Sequence, residues 1–217
     1  MNTLTPIKLL PARDRVAAGL REAILTRTIQ PGEEMTLKDT AAKLGVSITP
    51  VREAFQILAR DGLIELHPNR GAVVLGITEK RIRDHYETRA VLEREAAMAV
   101  CRRQADISPI RNAYLQAEIA LKTHNVLQYS NYNQSFHMEI WNACGNDKIK
   151  EILSGLWNGL SMGHKVTQES YARISMDEHA GILQALESGD EAAAGARMNA
   201  HILRSMENVL THLNTEP

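Results

Sequence analysis

The side chains able to do chemistry fall into two sets. In the C-terminal half, Asn133 and His137 stand four positions apart, so on a helix they share one face. His179 and His201 follow on two later stretches of helical character. An antiparallel bundle can bring these three stretches around one cavity. Three imidazole nitrogens with one oxygen donor suit Zn²⁺, Ni²⁺ or a similar divalent ion, and leave positions open for water or a carboxylate. Arg89, on an earlier helical stretch, carries a guanidinium that seeks an anion in a partly buried cavity. Glu93, four residues on, is its nearest candidate partner, and a small acidic ligand is the other. A lone histidine on an apolar helix face is most often a satisfied core residue. His67, His85, His124, His164 and His212 have no placement that argues otherwise.

The second set lies near the N-terminus, in Leu44-Gly45-Val46-Ser47-Ile48-Thr49-Pro50-Val51-Arg52-Glu53-Ala54. A helix that reads the DNA major groove presents its first turn to the bases. Short hydroxyls there reach phosphates or base edges, and an arginine can bond a guanine bidentately. Ser47, Thr49 and Arg52 supply those groups. Lys38, at the start of the preceding helix, suits a phosphate, and Arg70, at a turn tip, suits a phosphate or a minor-groove edge. Singly, each has a plainer reading: Ser47 and Thr49 are good helix caps in any protein, and Arg52 and Arg70 could be ordinary solvated residues. Their order, between a buried three-helix pattern and a hairpin, favours contact with double-stranded DNA.

Enzyme signatures are missing. There is no His-Glu-x-x-His and no phosphate loop. His137-Met138-Glu139 matches the first half of a zinc deaminase pattern, but no Pro-Cys-x-x-Cys follows. No Gly-x-Ser-x-Gly elbow occurs. A metal-dependent hydrolase is thus a minor alternative to a binding protein, and the chain reads as no enzyme.

The elements that must hold these residues follow from periodicity. Val16, Ala17, Leu20, Ala23, Ile24 and Leu25 give a first helix from about residue 13 to 28. Pro31-Gly32 turns the chain. Thr36 caps a second helix over 37–44, with Asp39 in the capping-box position, and Gly45 ends it. Ser47 or Thr49 caps a third helix, with Pro50 in its first turn. Leu63–His67 and Ala72–Leu75 then alternate as two strands around Pro68-Asn69-Arg70-Gly71. Helix, helix, turn, helix and hairpin is the order of a winged helix-turn-helix. From Thr78 onward helical stretches follow at roughly 79–103, 107–123, 126–143, 147–166, 171–188 and 190–212, which predicts an antiparallel six-helix bundle. The fold is expected to be mainly α, with a winged helix-turn-helix over residues 1–76 and an all-α bundle over 77–217.

Composition fits this picture. The 217 residues are 44% hydrophobic, 24% charged and only 4% aromatic, a balance that favours helices. The net charge of −1 supplies no general attraction to nucleic acid. Residues 1–75 do carry ten Lys/Arg against eight Asp/Glu, a small bias in the expected direction. No apolar run nears the roughly 20 residues that span a bilayer. Met1-Asn2-Thr3-Leu4 does not begin a secretory signal. A cytoplasmic protein without membrane contact is expected, with Cys101 and Cys144 reduced and packed as small apolar groups.

The run from Leu44 to Ala54, with Leu58-Ala59-Arg60-Asp61-Gly62-Leu63-Ile64 and Asn69-Arg70-Gly71, resembles the GntR family of transcription regulators, whose members bind palindromic operators as dimers. The resemblance implies that Lys38, Ser47, Thr49, Arg52 and Arg70 contact DNA. It covers most of the first 75 residues. Many members carry Arg where this chain has Ile48, so its operator contacts should differ.

The remainder resembles the FadR-type branch, through Tyr86-Glu87-Thr88-Arg89-Ala90-Val91-Leu92-Glu93, Phe136-His137, Gly145-Asn146, His179, Leu186-Glu187-Ser188-Gly189-Asp190 and Met198 to His201. Six helices rather than seven match the VanR-like subgroup, with its FCD ligand-binding domain. The resemblance implies a metal site at Asn133, His137, His179 and His201, with Asp usual where Asn133 stands. A neutral amide oxygen is the weaker ligand for a dication. The expected protein is a homodimeric regulator, a repressor in the usual case, controlled by a small carboxylate that Arg89 helps to hold. A regulator that responds to the metal itself is the alternative.

Overall fold

Apolar residues at helical spacing bury one face of each N-terminal helix. Val16, Leu20 and Ile24 do so for α1 (Ala12–Leu25), and Val51, Ala54, Phe55 and Leu58 for α3 (Ile48–Arg60). Between them lie β1 (Glu34–Met35) and α2 (Leu37–Leu44), and β2 (Ile64–His67) and β3 (Gly71–Val74) follow. The computed structural model describes residues 11–25, 27–68, 71–158 and 169–215. It divides into two compact units, Met1–Ile77 and Thr78–Pro217.

Local chemistry sets the first unit's boundaries. The Thr36 hydroxyl accepts from the Asp39 amide at 3.1 Å and donates to the Asp39 carboxylate at 2.7 Å, closing the N-terminus of α2. Gly45, at φ 64°, ends that helix. Ser47 occupies the N-cap position of α3, but its side chain makes no cap hydrogen bond. The hairpin is joined by a third strand that the sequence did not predict. β1 pairs antiparallel with the free edge of β3, Glu34 opposite Val73 and Met35 opposite Ala72, giving the order β1-β3-β2. Two residues are too few to show an alternating pattern. Gly71, at φ 105°, lies so close to β1 that a Cβ there would strike the Met35 carbonyl oxygen. Arg21 and Asp61 pair at 2.5 Å and tie α1 to the end of α3.

In the second unit, among the described residues, six helices form the bundle: α4 (Glu79–Arg102), α5 (Ser108–Lys122), α6 (Val126–Ala143), α7 (Asp147–Asn158), α8 (Glu169–Ser188) and α9 (Glu191–Thr215). Thr78 caps α4 by accepting from the Arg81 amide at 3.3 Å. α4 and α9 run antiparallel, pinned at one end by Arg83–Glu207 (3.3 Å) and at the other by Arg102–Glu191 (3.1 Å). Ala96 and Ala97 of α4 and Ala194 of α9 are fully buried. Leu153, Ile182, Met198 and Ile202 are fully buried, each contributing about 1.5–3 kcal/mol. Cys101 and Cys144 are buried and free. No described helix is long and apolar enough to cross a membrane.

Candidate functional site

Three helices deliver one histidine each to the middle of the bundle: His137 from α6, His179 from α8 and His201 from α9. All three are buried, and their ligand atoms lie within 4.8 Å of one another. His201 Nε2 is 3.2 Å from His179 Nε2 and 3.3 Å from His137 Nε2. Phe136, beside His137, stacks on the His179 ring at 4.3 Å between centroids, fixing that imidazole's plane. Asn133 stands one turn before His137 on α6, and its Oδ1 is buried with no hydrogen-bond partner. His179 Nδ1 is likewise buried and unpartnered.

A layer of carboxylates turns two of the histidines inward. Glu93, fully buried on α4, takes His137 Nδ1 at 3.0 Å and Trp141 Nε1 at 2.9 Å on one oxygen. Its other oxygen accepts from Arg89 Nε at 2.9 Å and Nη2 at 2.7 Å. The Arg89 guanidinium also lies 4.4 Å over the Trp157 ring of α7. Burial alone would raise the Glu93 carboxyl, but His137 and then Arg89 outweigh it and hold it well below the usual carboxylate range. Glu178 on α8 takes His201 Nδ1 at 2.7 Å and is gripped by Arg204 through two bonds, at 2.8 and 2.6 Å. Its carboxyl is also lowered, because His201 and Arg204 overcome the effect of burial.

An ionised carboxylate only accepts, so both Nδ1 atoms carry a proton and both Nε2 atoms are left to face the centre. Burial pushes His201 down to about 4 and lowers His179 well below its ordinary value. His137 and His201 thus bring their Nε2 atoms within 3.3 Å of each other at the centre of the bundle. The separations of 3.2 and 3.3 Å match the edge of a tetrahedron whose metal–nitrogen bonds are about 2.0–2.1 Å. The donor set fits a divalent ion, with the Asn133 oxygen an available fourth donor.

The residues expected to meet DNA lie in the first unit. Lys38 is exposed on the first turn of α2; Ser47, Thr49 and Arg52 are exposed at the start of α3. Among the described residues no hydrogen bond or ion pair engages Arg52. Arg70 lies outside the described residues. The structure thus gathers His137, His179 and His201, sets Arg89 one helical turn before Glu93 and bonded to it, and places the α2–α3 set in the first unit. Sequence reasoning found Glu93 only as a partner for Arg89 and missed Glu178, Arg204, Trp141 and Trp157. Glu178 immediately precedes His179 but serves His201 on the next helix, a relation that no spacing within one helix reveals.

Comparison with known proteins agrees with both units. Residues 12–74 match the family of bacterial regulatory proteins of the gntR type, and residues 84–204 match the FCD domain. The chain is 31% identical over 180 residues to a gluconate operon transcriptional repressor of Bacillus licheniformis, covering 81% of this chain and 70% of the relative. It is 30% identical over 197 residues to the protein of that name from Bacillus subtilis, covering 82% and 76%. The crystal structure of a putative GntR transcriptional regulator from Rhodococcus sp. RHA1 superposes with a TM-score of 0.66 at 27% identity, over 92% of this chain and 97% of the other. The chain belongs to the GntR family of bacterial regulatory proteins, and is a DNA-binding transcription regulator that couples a gntR-type segment to an FCD domain.

Proposed function

We propose that the chain is a homodimeric repressor whose hold on operator DNA is set by a small carboxylate and a divalent metal ion bound inside the helical bundle. Residues 1–76 bind DNA, and residues 77–217 bind the effector and dimerise. His137, His179 and His201 hold the ion, Zn²⁺ or Ni²⁺, with Asn133 as a neutral oxygen donor. When bound, the ion supplies a positive centre with open positions for an anionic oxygen. The observation that carries this reading is the convergence of three buried imidazoles, two of them turned inward by Glu93 and Glu178. Orientation of metal-binding histidines by carboxylates is the usual support for such sites.

Arg89 lies beside this centre with its charge shared between Glu93 and the Trp157 ring. Its role is to offer the positive face that a carboxylate meets on entering. The names of two relatives refer to a gluconate operon, and gluconate, a polyhydroxy acid, belongs to the class proposed here. In a dimer the two recognition helices meet two half-sites, whose separation on the duplex must match theirs. An effector acts only through its different affinity for the DNA-bound and DNA-free forms.

The test is equilibrium dialysis of chelator-treated protein against Zn²⁺ and Ni²⁺. One tightly bound ion per chain is expected, lost in His201→Ala. Equal binding by wild type and His201→Ala would remove the metal from the account. Carboxylate affinity unchanged by Arg89→Lys, which keeps the charge but not the planar fork, would remove Arg89. If metal removal alone abolishes release from DNA and no organic acid acts, the ion is itself the signal.

A further inference from the structure

One residue at the tip of α3 is chemically out of place. Ile48 is the first residue of the helix, and its apolar side chain is 42% exposed. Around it, Ser47, Thr49, Arg52, Glu53 and Gln56 are all exposed and polar. Val51, Ala54, Phe55 and Leu58 form the buried face of the same helix, and Ile48 is not part of it. The Ser47 hydroxyl beside it makes no cap hydrogen bond and is free to reach a phosphate. An apolar group set among hydroxyl and guanidinium groups, on the first turn of a helix that reads DNA, matches one feature of the major groove: the C5-methyl of thymine, which apolar side chains contact.

We propose that Ile48 is a specificity-determining residue that packs on a thymine methyl in each operator half-site. This inference rests on the reading of α3 as the recognition helix. Ile48 and Arg52 are one turn apart, so their Cβ atoms lie about 5–6 Å from each other on one face. Base pairs stack about 3.4 Å apart along a strand. The thymine met by Ile48 therefore lies within about two base pairs of the guanine met by Arg52. Arg52 selects by hydrogen bonds, and Ile48 selects by excluding water from a methyl group. A cytosine lacks that methyl and is discriminated against at the same position.

The experiment uses the full chain. Selection from random duplexes first defines its preferred site at fixed salt. Each thymidine of one half-site is then replaced by deoxyuridine, which deletes only the methyl, and binding is read by fluorescence anisotropy. For wild type, one position in the half-site is expected to lose about fourfold in affinity, the effect of one buried methyl. Ile48→Ala should bind the unmodified site more weakly by a similar factor and be indifferent to deoxyuridine at that position. Its thermal unfolding should match wild type, since the side chain is outside the core. The inference is overturned if no single replacement weakens wild type, or if Ile48→Ala keeps the full response to it. Failure to enrich any sequence in the first step is a different result: it rejects α3 as a recognition helix altogether.

Discussion

Glu93 has no water to fall back on, and every bond it makes is to a group with few other partners. Its two oxygens take Arg89, His137 and Trp141. Removing one side of a buried ion pair strands the other charge, at about 3–5 kcal/mol. Glu93→Leu should lower unfolding free energy by about that much in urea titration, and a cost near zero would show that Arg89 finds another partner. Glu178 is only part-buried and serves His201 more than the fold. Glu178→Leu should weaken metal binding by about 10–100-fold, the usual effect of losing a carboxylate behind a histidine ligand, while Glu178→Gln, which still accepts from Nδ1, should keep most of it.

Protonation belongs to the same scale. Burial lowers His85 and His201 to about 4, and Arg89 assists the shift at His85. His179 is lowered as well, chiefly by burial. In the unfolded chain these rings take up protons near pH 6.5, so between about pH 6.5 and 4 the unfolded state binds more of them. Stability of the metal-free protein should therefore be level above pH 7 and fall as pH drops through that window. A thermal midpoint unchanged from pH 7 to 4.5 would contradict the burial of these rings.

At the scale of elements, the small sheet depends on an approach that only glycine permits. Gly71→Ala drives a methyl into the Met35 carbonyl. It should separate β1 from β3 and weaken DNA binding through the displaced wing, with α2 and α3 still folded, as amide exchange at Glu34–Met35 against that in α3 would report. The helices were legible in the sequence because their signals are local: Thr36 and Asp39, Gly45, Thr78 and the apolar spacing of α3 mark ends and faces by themselves. β1 was not, because its strand character comes only from the β3 edge. The histidines were legible as a set through family resemblance and the shared face of Asn133 and His137. Their supporting carboxylates were not, since Glu178 and His201 meet only across α8 and α9. Ile48 stood out in the sequence as a departure. Its exposure is a property of the fold.

For the molecule as a whole, the proposed control requires that chemistry in the bundle alter affinity at α3, and only an effector with different affinities for two forms can do this. At the proposed metal site Glu93 is matched by Arg89 and Glu178 by Arg204, and burial lowers His179 and His201. A dication placed there is balanced by no ligand of its own, which is the environment in which an anionic effector gains most. DNA contact, by contrast, draws on only a slight basic excess in residues 1–75. In the proposed reading, specific contacts from Arg52 and its neighbours supply the preference for an operator over other sequences. Arg52→Ala should cost about 1–3 kcal/mol on the preferred site and little on random duplex, as anisotropy on the two DNAs would report.

The most direct test joins the two units in one assay. Fluorescence anisotropy of the full chain on DNA from upstream of its own gene, with random duplex as control, is read at fixed salt, because phosphate contacts vary steeply with it. The account predicts a preference of about 10³ or more for the upstream DNA, reduced when a divalent metal and a small carboxylate are added together, and unresponsive to them in His201→Ala. Equal affinity for upstream and random DNA, or an identical response from His201→Ala, would contradict it.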